Sequence, residues 1–379
     1  DMRRYQNLIE SAFPSELGGL FKKLESKGNP WGMGAKARMD WAKDLPFTVK
    51  VLGEDVESAD ENLQRAAVVG AENLPQCLVR RRDLLDHLEA GRVLDHAESG
   101  QPQRLGALGR LVVADLLESG TAPDEVVAVV RNPAKAASLA EQGVTVREAD
   151  YADPAALRTA LEGVERLLLI SGDAVGARVE QHTNVIEAAR DAGVAHIVYT
   201  SILNADASSN PLVDEHIATE KVLTASGVAH TVLRNAWYSE NYTTQLPQYL
   251  ATGEILSATD DAPISAAARA DFAAAAVGAL RSAGAESRTF ELGGPAFTLT
   301  ELAEAITEAT GTTVVHRVVS ADELVATMTS DGQDATWPNI QARVDRSIAA
   351  GEMHTDSNAL EELMGHAPTT ITEVVRAAV

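Results

Sequence analysis

Residues 105–132 read LGALGRLVVADLLESGTAPDEVVAVVRN, and the fold follows from this stretch. Gly106 and Gly109 stand three apart, and an apolar helical pattern continues through Leu111, Val112, Leu116 and Leu117. Beyond Gly120 comes Val126-Val127-Ala128-Val129-Val130, a short, uncharged, β-branched run. Such a run suits a strand buried on both faces of a parallel sheet. Arg131-Asn132 follows at its carboxyl end, the edge at which open α/β sheets bind ligands. Glycines at a helix N-terminus let a pyrophosphate reach free backbone N–H groups and the positive end of the dipole. An arginine after the second strand can pair bidentately with an adenosine 2′-phosphate, which points to NADP(H) rather than NAD. A glycine turn beside one surface arginine is the plainer reading of the same residues.

A dinucleotide-binding unit also needs a strand before the glycines. Here residues 95–104 read DHAESGQPQR, a polar run containing Pro102, which has no N–H for a central ladder. No first strand is visible, and a gap in mid-sheet would leave backbone groups unpaired. Residues 57–70, and 66–70 (AAVVG) in particular, are the expected filler of that slot.

Composition narrows the class. In 379 residues, 45% are hydrophobic, enough for one large domain or two ordinary ones. A net charge of −23 opposes binding to a nucleic-acid backbone or an anionic membrane, because both require cationic neutralisation. Cys77, the lone cysteine, leaves no internal disulfide and no multi-cysteine metal or iron–sulfur site, and no metal is expected. No apolar run approaches a membrane span, no leader is readable from Asp1, and the expected location is cytoplasmic.

Residues 1–57 differ from the rest, holding Trp31, Trp41 and a basic cluster at Lys22, Lys23, Lys27, Lys36 and Arg38. Turn signals at Gly28-Asn29-Pro30 and Gly32-Met33-Gly34 separate short helical pieces there. Residues 58–103 read as a linker without assignment. From 104 to 379 the pattern is regular. Asn132-Pro133 and Asp153-Pro154 each pair an N-cap with a proline at the first helical position. Strands are expected at 126–130, 144–146, 167–170, 196–201 and 230–234, alternating with helices, which means βαβ units and a parallel sheet. The expected architecture is α/β: a Rossmann-like doubly wound parallel sheet with a small C-terminal lobe, preceded by an irregular helical extension. The lobe, mainly 236–268 and 296–379, would close over a substrate cleft.

Polar groups fall at several strand ends: Arg131, Asp150-Tyr151, Ser171-Gly172, Tyr199-Thr200-Ser201 and Asn235. Each alone suits a cap or turn; together they outline a groove for a long polar cofactor. Residues 233–242, LRNAWYSENY, concentrate aromatics in a chain that is 4% aromatic. Rings at Trp237, Tyr238 and Tyr242 could stack on a flat substrate or a nicotinamide, or simply pack between lobes. A short-chain reductase uses Tyr and Lys four apart for proton donation. The helix in that place offers His216 and Glu220, which read as a solvent-facing i,i+4 contact. That argues against alcohol–ketone chemistry but not against quinone reduction, where hydride transfer needs mainly ring orientation. No catalytic residue is nominated.

Two resemblances add to this. Met2-Arg3-Arg4-Tyr5, residues 13–21 (FPSELGGLF) and 28–33 (GNPWGM) resemble an internal segment of heterodisulfide-reductase-like iron–sulfur oxidoreductases, without the cysteines that ligate their clusters. VVAVVRNPAKA, READYAD, LLLISGDAVGARVEQHTNVIEAARDAGVAHIVYTSILNAD, DEHIATEKVL, TVLRNAWYSENY and LGGPAFTLTELA resemble the NAD(P)H:quinone oxidoreductases of type 2. These are NmrA-like atypical members of the short-chain dehydrogenase/reductase superfamily. The resemblance implies an NADPH-binding Rossmann domain and a quinone substrate. It places Gly106 and Gly109 at the pyrophosphate and Arg131 at the 2′-phosphate. Asp150 and Tyr151 would flank the adenine, while Ser171, Tyr199, Thr200 and Ser201 would line the nicotinamide. Asn235, Trp237, Tyr238 and Tyr242 would meet the substrate.

The family's TGATGQLG turn is PQRLGALG here, with Gln103 replacing the first glycine, and Asn204 and Ala236 stand where His and Gly are expected. A side chain in place of that glycine hinders close approach. The expected function is NADPH-dependent quinone reduction by direct hydride transfer, with the truncated glycine turn as the place where it would be impaired. A small-molecule substrate and a homodimer accompany that reading. The alternatives are an NmrA-like redox sensor without catalysis, and a composite chain that binds no cofactor.

Overall fold

The computed structural model divides the chain into two units, Asp1–Ala71 and Glu72–Val379. It describes residues 76–79, 106–172, 174, 176–330 and 336–379, all in the second unit. The N-terminal extension, and the expected filler at 66–70, lie outside the described residues.

Nine strands are described. They are β1 (Gln76–Val79), β2 (Val126–Val130), β3 (Thr145–Glu148), β4 (Arg166–Leu169), β5 (His196–Ile202), β6 (Ala229–Asn235), β7 (Glu254–Ser257), β8 (Arg288–Leu292) and β9 (Val315–Val318). Seven form one sheet in the order β3-β2-β1-β4-β5-β6-β8. The helices that cover it are α1 (Gly106–Glu118), α2 (Ala137–Glu141), α3 (Pro154–Ala160), α4 (Arg178–Asp191) and α5 (Val213–Ala225). All five residues of β2 are buried, as a β-branched run covered on both faces should be. They alternate: Val126, Ala128 and Val130 join a core with α1, while Val127 and Val129 join a second core with α3 and α4. The same two-residue period sends Leu168 to one core and Leu167 and Leu169 to the other. The expected N-caps form. Asn132 accepts from Ala134 N–H, and Asp153 accepts from the N–H groups of Ala155 and Ala156 at 3.0 Å.

The slot of the missing first strand is filled by Gln76–Val79 instead of the expected 57–70, and by a reversed strand. β1 pairs antiparallel with β2 (Gln76 opposite Val129, Val79 opposite Val126) and antiparallel with β4 (Leu78 opposite Leu167). Every other pairing in the sheet is parallel. Residues 58–103, unassigned from sequence, thus supply a central strand. Its four residues satisfy the facing ladder groups of β2 and β4, which otherwise would be orphaned in mid-sheet. Because β1 runs backwards, its carboxyl end lies beside the start of β2. Gly106 therefore does not follow directly from a strand end at the ligand edge.

After β6 the chain builds the lobe from α6 (Glu240–Thr243), α7 (Leu246–Thr252), α9 (Leu299–Thr310), α10 (Ala321–Ser330), α11 (Thr336–Ala349) and α13 (Ile371–Ala378) around the parallel pair β7-β9. Capping boxes at Thr298/Glu301 and Thr370/Glu373 start α9 and α13. The lobe core gathers Tyr242, Leu246, Tyr249, Phe297, Leu302, Ile306 and Val375.

α8 (Arg269–Ser282) instead packs on the sheet beside α1, with α12 (Ala359–Met364) against it. At that crossing a Cβ on Gly278 would stand 2.9 Å from the carbonyl carbon of Leu363. Gly278→Ala is expected to destabilise the protein by about 1–3 kcal/mol through overpacking, although alanine is the better helix former by roughly 1 kcal/mol. An unchanged denaturation midpoint would show that α8 and α12 can separate freely.

Candidate active site at the carboxyl edge of the sheet

The parallel strands all end at one edge, and there the polar residues gather. Two loops are held with unusual completeness. Ile170, Ser171 and Gly172, following β4, are fixed from below by four bonds. The Tyr151 hydroxyl donates to Ile170 O (3.2 Å), and Ser171 N–H donates to Thr200 Oγ1 (2.9 Å). Gly172 N–H donates to His182 Nε2 (3.0 Å), and Arg178 Nε donates to Gly172 O (2.8 Å).

These contacts fix the histidine tautomers. His182 accepts at Nε2, so its proton sits on Nδ1 and goes to Thr219 Oγ1 at 2.9 Å, while the Thr219 hydroxyl donates to Glu215 O. His216 Nε2 faces Arg178, which can only donate, so its Nδ1–H donates to the Tyr199 hydroxyl at 2.9 Å. Burial, reinforced by the Arg178 charge, pushes both histidines down to about 3. Both are neutral.

The second anchor is Arg234, near the end of β6. It forms a fork to Glu220 (Nε to Oε1 3.1 Å, Nη2 to Oε2 2.7 Å) and reaches Asp206 at 2.7 Å and Glu291 at 2.9 Å. Glu220 in turn accepts from Ser201 Oγ at 2.5 Å. Glu291 also receives the N–H of Asn204, a residue in the left-handed region at φ 53°. Asn204 Nδ2 then donates to Glu352 O and His354 O, tying the end of β5 to the C-terminal segment. Asparagine suits that backbone and those two acceptors.

The site residues expected from sequence take different positions. Gly106 and Gly109 lie in the first turn of α1, beside the segment leaving β2: Arg110 Nη2 donates to Lys135 O at 3.3 Å. Arg131 is exposed at the end of β2, near enough to Tyr151 for its charge to favour that phenolate, although burial dominates and raises Tyr151 well above the usual phenol. Asp150 closes a turn, accepting from Ala152 N–H. Tyr199 is fully buried, and the Thr200 and Ser201 hydroxyls are engaged internally, so these three sit beneath the carboxyl edge. Tyr242 sits in the lobe core, edge-on to Phe297 at 5.9 Å. Trp237 and Tyr238 keep surface.

The solvent-facing pair expected at His216 and Glu220 does not exist. Both side chains turn inward, His216 to Tyr199 and Glu220 to Arg234, because α5 lies across β5 and β6. Arg178, His182, Arg234 and Arg269 were not singled out from sequence. The i,i+4 spacing of Arg178 and His182 on α4 was the one signal available.

What remains open at this edge is chemically specific. Among the described residues, two buried side-chain polar atoms lack a partner: Ser171 Oγ and Asn235 Oδ1. They stand at the ends of β4 and β6, on either side of β5. Buried unsatisfied atoms in a rigid frame suit a polar ligand that completes them. A small cavity lined by Thr231, Gly284 and Arg288 lies where strands begin, away from this convergence.

Residues 105–283 match the family model described as NAD(P)H-binding. Quinone oxidoreductase 2 of Escherichia coli is 47% identical over 271 residues, covering 71% of this chain and 94% of that protein. The chain belongs to the NAD(P)H-binding family of quinone oxidoreductase 2. It is an oxidoreductase, and the NmrA-like kinship extends to an oxidoreductase of Aspergillus flavus at 34% identity, covering 65% of this chain and 83% of that protein. The structure of the E. coli NADPH-dependent quinone oxidoreductase in complex with NADPH superposes with a TM-score of 0.69 at 46% identity, covering 72% of this chain and 96% of that one. The Citrobacter triphenylmethane reductase complexed with NADP(H) gives 0.69 at 35% identity, covering 73% and 98%. The family's Rossmann-like sheet is present, with one central strand reversed. Among the described residues no helix is long and apolar enough to cross a membrane, and no group of three or more candidate metal ligands occurs.

Proposed function

We propose that this chain reduces quinones with NADPH in the cytoplasm. The observation that carries the reading is the pair of orphaned atoms, Ser171 Oγ and Asn235 Oδ1, flanking the carboxyl end of β5. A nicotinamide carboxamide and ribose offer donors and acceptors of the kind these atoms need, so the residues fit that half of the cofactor. Arg131 would hold the 2′-phosphate, and the first turn of α1, with Gly106 and Gly109, would face the pyrophosphate. Trp237 and Tyr238 would receive the flat substrate. Bound NADPH supplies a hydride. The protein's share is orientation: the four bonds on Ile170–Gly172 and the Arg234 cluster keep the groove floor fixed while two rings stack.

The phosphate half departs from the family. Reversed β1 does not deliver the chain into the glycine turn, and Gln103 stands in place of its first glycine. That favours a second reading, nucleotide sensing without turnover or no nucleotide binding at all. Titration of NADPH against the full chain, followed by quinone turnover read as loss of nicotinamide absorbance, separates them. Saturable binding with turnover is expected. Binding alone leaves the sensor, and a flat titration leaves the chain that binds no nucleotide. Arg131→Ala is expected to weaken NADPH about tenfold or more while leaving NADH unchanged, the worth of one charge-assisted phosphate contact.

A further inference from the structure

Reduction of a quinone to a hydroquinone by hydride leaves one oxygen still to be protonated, and the groove holds few groups able to do it. His182 and His216 have both ring nitrogens engaged. Glu220 is tied to Arg234 and Ser201. Tyr151, Tyr199, Tyr242 and Tyr249 are buried. Among the described tyrosines Tyr238 alone is half-buried rather than buried, its hydroxyl being the sheltered end, and it stands three residues beyond Asn235, whose Oδ1 lacks a partner.

Its surroundings are organised for an anion. The Arg269 guanidinium lies 4.9 Å from the ring centroid. It is free to do so because Glu240, the nearby carboxylate, is taken up by the backbone N–H of Arg269 at 2.9 and 3.1 Å. Arg269 Nη2 meets only the neutral Asn241 Oδ1, at 3.3 Å. Phe272 packs edge-on at 5.5 Å and fixes the ring.

We propose that Tyr238 is the proton donor to the reduced quinone, with Arg269 stabilising the phenolate left behind. This rests on the quinone-reductase reading above. The substrate takes two electrons and one hydrogen as hydride from the nucleotide. The Tyr238 O–H bond breaks, a new O–H bond forms on the substrate oxygen, and water then returns a proton to the phenolate. Burial raises the Tyr238 hydroxyl and Glu240 adds to this, whereas Arg269 and hydrogen bonding from Asn235 lower it. The arginine thus offsets part of the cost of burying the phenolate.

Two measurements test this. Tyr238→Phe should lower quinone turnover about 10²–10⁴-fold, the usual worth of a positioned acid. NADPH binding by fluorescence titration should stay unchanged, and any solvent deuterium isotope effect on turnover should disappear. In the protein without nucleotide, ¹³C-tyrosine NMR of Arg269→Gln should move the Tyr238 titration upward by about one pH unit. Full turnover in Tyr238→Phe, or an unmoved titration in Arg269→Gln, overturns the assignment. Failure of the wild-type chain to bind NADPH overturns instead the reading on which it rests, and shows as a flat titration.

Discussion

Arg234→Met is expected to cost about 3–5 kcal/mol of folding stability, the penalty for breaking one side of a buried ion cluster. The arginine side chain is 8% exposed, and its partners Glu220 and Glu291 are 15% and 29% exposed. Removing the cation leaves two sheltered carboxylates facing each other across an apolar methionine. Asp206, 77% exposed, would hardly notice, since water screens it. The stranded carboxyls would then protonate more readily, so the loss should be smaller at pH 5 than at pH 8. Arg234→Lys should recover only part, because an ammonium has no fork for the two oxygens of Glu220. Adding Glu220→Gln to the methionine variant should restore stability, since it removes a stranded charge. Chemical denaturation of the four proteins at both pH values reads all of this. A loss below about 1 kcal/mol, or one indifferent to pH, would mean that the cluster is solvated.

Acidification should destabilise the protein from about pH 6.5 downward, starting before its carboxylates are titrated. His182 and His216 are held at about 3 in the fold, against an ordinary 6.5 in the unfolded chain. Between those values the unfolded state binds more protons than the folded one, so stability falls as pH falls. The stabilisation is whole above about pH 6.5 and drains toward pH 3. Two protons correspond to about 2–3 kcal/mol per pH unit at most, so about 5–7 kcal/mol is lost between pH 6.5 and pH 4, the lower part of a typical stability of 5–15 kcal/mol. His196 and His316, also lowered by burial, act in the same direction. Asp345 works against them, since burial raises its carboxyl. Denaturation series at pH 7, 6, 5 and 4 give the slope directly. His216→Gln should flatten it by about one proton, whereas a flat wild-type slope would show both imidazoles reached by water. The site should fail early in the same window, because Gly172 hangs from His182 and Arg178.

The alternation of β2 to β6 with their helices was legible because strands buried on both faces must be apolar throughout, and Val126–Val130 or Leu167–Leu169 have no other easy use. N-caps at Asn132 and Asp153 were legible for a similar reason: the partner groups lie two or three residues away. β7 escaped notice, since four residues (EILS) carry little period of their own.

For the groove, sequence placed Arg131, Ser171 and Asn235 at strand ends, and the strand ends met. It mistook His216 and Glu220 for a surface pair, because an i,i+4 spacing defines a helix face without saying what that face touches. Arg178, Arg234 and Arg269 carried no reading from sequence, because the partners that draw them to Gly172, Glu220 and Tyr238 lie 6, 14 and 31 residues away.

By itself the sequence determined the parallel α/β core and placed Arg131 directly after a strand at its carboxyl edge, both of which follow from local periodicity and the residue after a strand. Only the tertiary structure decided that Gln76–Val79 completes the sheet, and that it does so backwards. A four-residue strand takes its direction and place from the N–H and C=O groups of its neighbours, and β2 and β4 are 36 or more residues apart in sequence, so that slot exists only in the folded sheet.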